Sequence, residues 1–175
     1  SALAREFGFR FAGSHPMAGR EKVGFAASEG SLFRGASYLI TPCGASDEDV
    51  ALLRRTAEAL GFGRCVVTTA EEHDRMIAFT SQVPHALACA YVLSPQCRGH
   101  KGFSAGSYRD VSRVANINET LWTELFLSNS GPLTDELDTL IANLSAVRDA
   151  VRDGDAARLS ELLRQGRLVK ESLGE

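Results

Sequence analysis

The stretch TAEEHDRMIAFTSQVPHALACAYVLS, Thr69 to Ser94, decides how the chain is read, because it sets a few polar residues into a long helical pattern. Thr69 and Glu72 have the spacing of a capping box, which predicts a helix start at Thr69. Met76, Ile77, Phe79, Val83, Leu87, Ala90, Tyr91 and Leu93 then fall all round the cylinder, which predicts a central helix buried on most sides. At about 100° per residue, Asp74, Ser81 and His85 lie within roughly 60° of one another. Pro84 cannot donate to the carbonyl of Thr80 and is expected to bend the helix beside His85. A bent helix with a polar line at the bend predicts a cleft. The competing reading is local: Ser bonds the carbonyl one turn back, and His bonds a neighbour or water.

The composition sets outer limits. The chain has 175 residues, 44% of them hydrophobic, enough for one good core or two small ones. A net charge of −3 and the lack of a clustered basic stripe argue against nucleic acid as a partner. No apolar run is long enough to span a bilayer, and SALAREFGFRF lacks a signal pattern, so a cytoplasmic protein without membrane contact is expected. Cys43, Cys65, Cys89 and Cys97 form no CxxC pair and are expected to be reduced thiols, mostly buried. Cys97 and His100 have a ligand-like gap with no second pair, so no metal site is expected. The chain opens on Ser1 rather than Met and runs at once into a strand-like segment, which reads as part of a longer polypeptide.

Taken in order, GFRFA at Gly8 to Ala12 reads as a strand, followed by a loop GSHPMAG at residues 13 to 19. Pro16 holds His15 extended, either as a surface loop residue or as an imidazole above the sheet edge, where open α/β sheets bind ligands. Residues 20 to 35 read as a helix or irregular crossover broken at Gly24 and Gly30. ASYLIT, Ala36 to Thr41, is a second strand. Ser46 caps a helix with Asp47, Glu48 and Asp49 in its first turn, Val50, Leu53, Ala57 and Leu60 as its stripe and Gly61 as its end. RCVVT, Arg64 to Thr68, is a third strand, and no G-x-G-x-x-G follows any strand. Beyond the long helix everything reads as helical: a segment carrying Arg109 and Arg113, another from Asn118 with Trp122, a long stripe from Leu133 to Val151, and a last helix opened by Asp155. The last two, joined through Gly154, are expected to form an antiparallel hairpin with apolar surface left over for a homodimer. The fold class is therefore mainly α with a partial α/β N-terminal part.

Four segments, GSHPMAG at 13 to 19, LFRGASYLITP at 32 to 42, EEHDRMIAFTSQVPHALA at 71 to 88 and SAGSYRDVSRVANINETLW at 104 to 122, resemble the prephenate dehydrogenases of tyrosine biosynthesis, in order and at that family's spacing. The resemblance covers nearly the whole chain. It implies the end of a Rossmann-like sheet at residues 1–69 and an all-helical substrate-binding and dimerisation domain at 70–175. It also implies that NAD or NADP is bound mainly by a domain absent from this chain.

The implied reaction is oxidative decarboxylation of prephenate to 4-hydroxyphenylpyruvate. The resemblance gives His15 the catalytic role of bonding the ring hydroxyl and helping to take its proton. A neutral imidazole suits that task. Arg113 is implied to bind a substrate carboxylate, for which a guanidinium fork is well shaped. Ser81, His85 and Asp74 are implied to line the pocket. Trp122 is implied to reach toward the partner's site in the dimer, with ordinary packing as its other reading. Gln82 departs from the family, many members having a second His there, and keeps a hydrogen-bonding role only. Arogenate dehydrogenase, with the same chemistry on an amino-bearing substrate, is the alternative enzyme. A non-catalytic helical dimerisation module is the alternative of another class. The chain alone is expected to dimerise and to turn over nothing.

Overall fold

The computed structural model describes residues 2–20 and 24–174. The chain is mostly helical, with one three-stranded sheet in its N-terminal part. After a short helix α1 (Ala2–Phe7) come strands β1 (Gly13–Pro16), β2 (Ser37–Thr41) and β3 (Arg64–Val67), ordered β1-β2-β3. β1 is antiparallel to β2, whereas β3 is parallel to it and is reached through helix α2 (Asp47–Ala59). Ile40, in the middle strand, is fully buried.

α2 forms where its residues require. Ser46 Oγ accepts from the Asp49 amide and the Asp49 side chain reaches back to the Ser46 amide, so two orphan donors are satisfied reciprocally. Three acidic residues in that first turn face the positive end of the helix dipole. Gly61, at φ +89°, ends the helix in a conformation that side chains rarely adopt. Ala57 is buried as expected, but Leu60 is not.

The first strand differs from expectation. Its ladder runs over Gly13–Pro16, not Gly8–Ala12, and Phe9 and Phe11 are both exposed. His15 therefore stands within an edge strand, opposite Leu39, rather than in a loop. Pro16 can occupy this strand because an edge position leaves one backbone donor unneeded. A Cβ at Gly13 would meet Thr41 Oγ1 across the ladder, a side-chain tip that a change of rotamer moves aside. Of the expected crossover at 20–35, residues 21–23 lie outside the described residues, and the rest is turns with one 3₁₀ turn (Phe25–Ala27).

The long helix begins as expected, with Thr69 Oγ1 accepting from the Glu72 amide. Helix α3 (Ala70–Ile77) then passes into a π turn (Ala78–Gln82), where the Val83 amide bonds the Ala78 carbonyl, and continues as α4 (Val83–Val92). Pro84 sits in the first turn of α4. The wider turn lies just before its missing donor, and an i→i+5 bond marks the place where the bend is expected. This helix is less enveloped than its sequence suggests, since Phe79 and Leu93 are 58% and 81% exposed.

Helices α5 (Gly106–Ser112) and α6 (Glu119–Ser128) come next, with a 3₁₀ turn (Arg113–Ala115) between them; Asn118 caps α6 through the Leu121 amide. Helices α7 (Ser130–Arg152) and α8 (Ala156–Ser172) pack on each other through a turn at Gly154 (φ +66°), with Asp155 capping α8. The described residues form two compact units, one ending at Asn129 and the other beginning at Ser130. The cysteines are all free, but Cys43 is exposed and the other three only half-buried, against the expectation of mostly buried thiols.

Candidate active site

The first unit holds a cavity of about 490 Å³, walled by four separate pieces of chain. β1 and the turn after it supply His15, Met17 and Arg20; the π turn and α4 supply Ser81 and His85; the 3₁₀ turn after α5 supplies Arg113; α6 supplies Trp122. His15 and Arg113, almost a hundred positions apart in the chain, thus face one space. A volume of this size is within the ordinary range of small-molecule sites.

The half-buried residues of the wall are held by specific contacts. His85 Nδ1 donates to the Ser81 carbonyl at 2.8 Å, which fixes its tautomer and leaves Nε2 as an acceptor. The His85 ring stacks on Trp122 with 3.7 Å between centroids, and Trp122 meets Phe126 edge to face. Trp122 therefore lines the cavity of its own chain. Arg20 pairs with Glu29, whose carboxyl is held below its ordinary value by the Ser31 hydroxyl and by that guanidinium. Burial, and secondarily the repulsion between the two rings when both hold an extra proton, hold His15 below the ordinary imidazole value of 6.5, so that it stays neutral at pH 7.

Two of the expected residues lie elsewhere. Asp74 and Gln82 line a neighbouring cavity of about 410 Å³ that shares His15 with the first. The π turn accounts for the separation: an extra residue there rotates α3 by roughly 100° relative to α4. The straight-helix projection that aligned Asp74 with Ser81 and His85 does not survive it. Gln82 is buried, 4% exposed, and spends its amide on protein, donating to the Leu125 carbonyl at 3.1 Å and accepting from Asn129 at 2.8 Å. Asn129 also donates to the Asp74 carbonyl, so this set ties α6 to the long helix.

Two residues with a place here went unread in the sequence. Arg20 adds a second guanidinium to the first cavity, five positions beyond His15. His73 bonds His15, with Nε2 3.0 Å from Nδ1 of that ring, and its own Nδ1 lies 2.8 Å from Asp74 Oδ1. The adjacent pair His73 and Asp74 was visible in the sequence; its meeting with β1 is tertiary.

Compared with known proteins, residues 69–165 match the family model described as prephenate dehydrogenase, dimerization domain, and residues 2–66 match prephenate dehydrogenase, nucleotide-binding domain. The chain belongs to the prephenate dehydrogenase family. It is 29% identical over 171 residues to the prephenate dehydrogenase of Bacillus subtilis, covering 94% of this chain and 46% of that protein. A solved prephenate dehydrogenase from A. aeolicus, in complex with hydroxyphenyl propionate and NAD+, superposes with a TM-score of 0.82 at 25% identity, over 98% of this chain and 62% of that one. The Synechocystis arogenate dehydrogenase does so with a TM-score of 0.77 at 26% identity, over 93% of this chain and 61% of that one. The chain spans about half the length of the curated relatives it matches. No helix among the described residues is long and apolar enough to cross a membrane.

Proposed function

We propose that this chain supplies the substrate-binding part of an NAD-dependent prephenate dehydrogenase, with residues 1–69 ending the nucleotide-binding domain and 70–175 forming the helical substrate-binding and dimerisation domain. The observation that carries this reading is the single cavity in which His15, Ser81, His85, Arg113 and Trp122 meet. Prephenate is a dianion with a ring hydroxyl. Arg113 grips one carboxylate, bidentately where geometry permits, and Arg20 adds positive potential beside it. Ser81 and His85 offer polar groups along one wall while Trp122 presents an apolar face to the ring.

His15 accepts the hydroxyl proton as the carbonyl forms. When CO₂ has left and the ring has become aromatic, the same nitrogen returns that proton to the oxygen, so the protein neither gains nor loses one. NAD supplies the hydride acceptor. Among the described residues, the helices that follow β2 and β3 offer it no pyrophosphate cradle: they open with Asp47, Glu48 and Asp49, and with Glu71 and Glu72, like charges where a phosphate would sit. The cofactor is accordingly held mainly by residues outside this chain.

Exposed apolar side chains on α7 (Ile141, Leu144, Val151) and α8 (Leu163, Val169) support a homodimer, as does the description of the matching family domain. The working compartment is the cytoplasm. Arogenate remains the alternative substrate, on the likeness to the Synechocystis enzyme. The test is kinetic: in a polypeptide joining this chain to a complete nucleotide-binding domain, NADH should form from prephenate faster than from arogenate. The reverse order would give the chain the other substrate, and no turnover of either would refute the reading.

A further inference from the structure

We propose that His73, itself held by Asp74, is a positioning residue that fixes His15 with its proton on Nδ1 and its lone pair on Nε2. The proton positions are set from the carboxylate end of this line. A carboxylate only accepts, so the 2.8 Å contact with Asp74 Oδ1 requires the proton on His73 Nδ1. A neutral His73 then has an acceptor at Nε2. The 3.0 Å contact between that atom and His15 Nδ1 is a hydrogen bond only if His15 is the donor. His15 Nε2 is left as the basic nitrogen, although free histidine in water favours the opposite tautomer.

The inference rests on the reading of His15 as the proton acceptor and adds to it the reason that one ring nitrogen is ready. Once His15 holds the substrate's proton it is an imidazolium, and its Nδ1–H points along a polarised line ending on a carboxylate. Asp74 therefore does not line the cavity that holds Arg113 and Trp122. It acts through His73. The other charged or titratable groups facing His15 are His85 from α4, Arg113 from the 3₁₀ turn and Arg20 from the turn after β1; with His73 they are cationic or neutral, so Asp74 is the counter-charge on this line among the described residues.

The first experiment uses the 175-residue chain with ¹⁵N-labelled histidine, reading ring nitrogens through long-range proton correlations at pH 8. His15 should appear as the Nδ1–H form. In His73→Ala the Nε2–H form should become the major one, while His73→Gln, whose side-chain carbonyl can accept the same proton, should retain Nδ1–H. Asp74→Ala should leave His15 in a mixture of both. An Nε2–H ring in the unaltered chain, or no change in His73→Ala, would overturn the proposal.

The second experiment uses the polypeptide joined to a complete nucleotide-binding domain. His73→Ala should lower kcat with prephenate about 10- to 100-fold, the usual cost of losing an orienting partner, with KM within about twofold. His73→Gln should restore most of kcat. If His15→Asn is inactive while His73→Ala keeps full kcat, the inference fails and the reading of His15 stands. If His15→Asn stays active, the reading itself fails, and the nitrogen shifts still decide the tautomer.

Discussion

The two faces of the long helix on either side of its π turn carry similar residues and do different things. On the α4 side Ser81 and His85 look into the larger cavity with Arg113 and Trp122. On the other, His73 and Asp74 buttress His15 from behind, and Gln82 and Asn129 tie α6 to the helix. One extra residue in a single turn divides polar groups that a regular helix would have set in one row. The difference teaches that polarity on a buried helix does not by itself mark a ligand wall; the phase of the helix decides which groups meet substrate and which meet protein.

Substitutions of the cavity residues should change kinetics and spare stability, and those of Gln82 and Asn129, which tie α6 to the helix, should do the reverse. The largest expected effect is His15→Asn, which removes the proton acceptor and should lower kcat by about 10²- to 10⁴-fold with an unchanged melting temperature. Arg113→Ala should come next, raising KM for prephenate roughly 10- to 100-fold, as expected for a charge-assisted hydrogen bond of about 1.5–3 kcal/mol, with kcat changed far less. An unaltered KM would take Arg113 out of the site.

Gln82→Ala tests the other face. It strands the Leu125 carbonyl and removes an acceptor from Asn129, so chemical denaturation should show a loss of about 1–3 kcal/mol while KM stays put. A rise in KM as large as that of Arg113→Ala would erase the division between the faces. Ser46→Ala, far from both cavities, should cost about 1 kcal/mol of stability through its lost cap and nothing in kinetics. It is the control against which the other three are read.

Some of this was legible in the chain of residues alone. α2 could be read from Ser46 to Gly61, because cap, acidic first turn, apolar stripe and terminating glycine act within one helix length. The start of the long helix at Thr69 and the caps at Asn118 and Asp155 were legible for the same reason. β1 was not: Phe9 and Phe11 alternate like a strand, but pairing is decided by which segment meets β2 in the folded chain, and that segment is Gly13–Pro16. The π turn left only a trace, the absent donor of Pro84, from which a bend could be foreseen but not an added residue. The convergence of His15, Ser81, His85 and Arg113 came from family likeness, and the contact of His73 with His15 joins residues 58 positions apart, beyond the reach of any local rule.

A methyl group added at Gly13, two residues before His15, would meet the hydroxyl of Thr41 on the neighbouring strand and otherwise only ordinary contacts. Turning that hydroxyl aside makes room without parting the ladder. Gly13, Thr41 and His15 all border the smaller cavity, so this pair is a place where its width can be altered while the groups that handle protons and charge stay where they are.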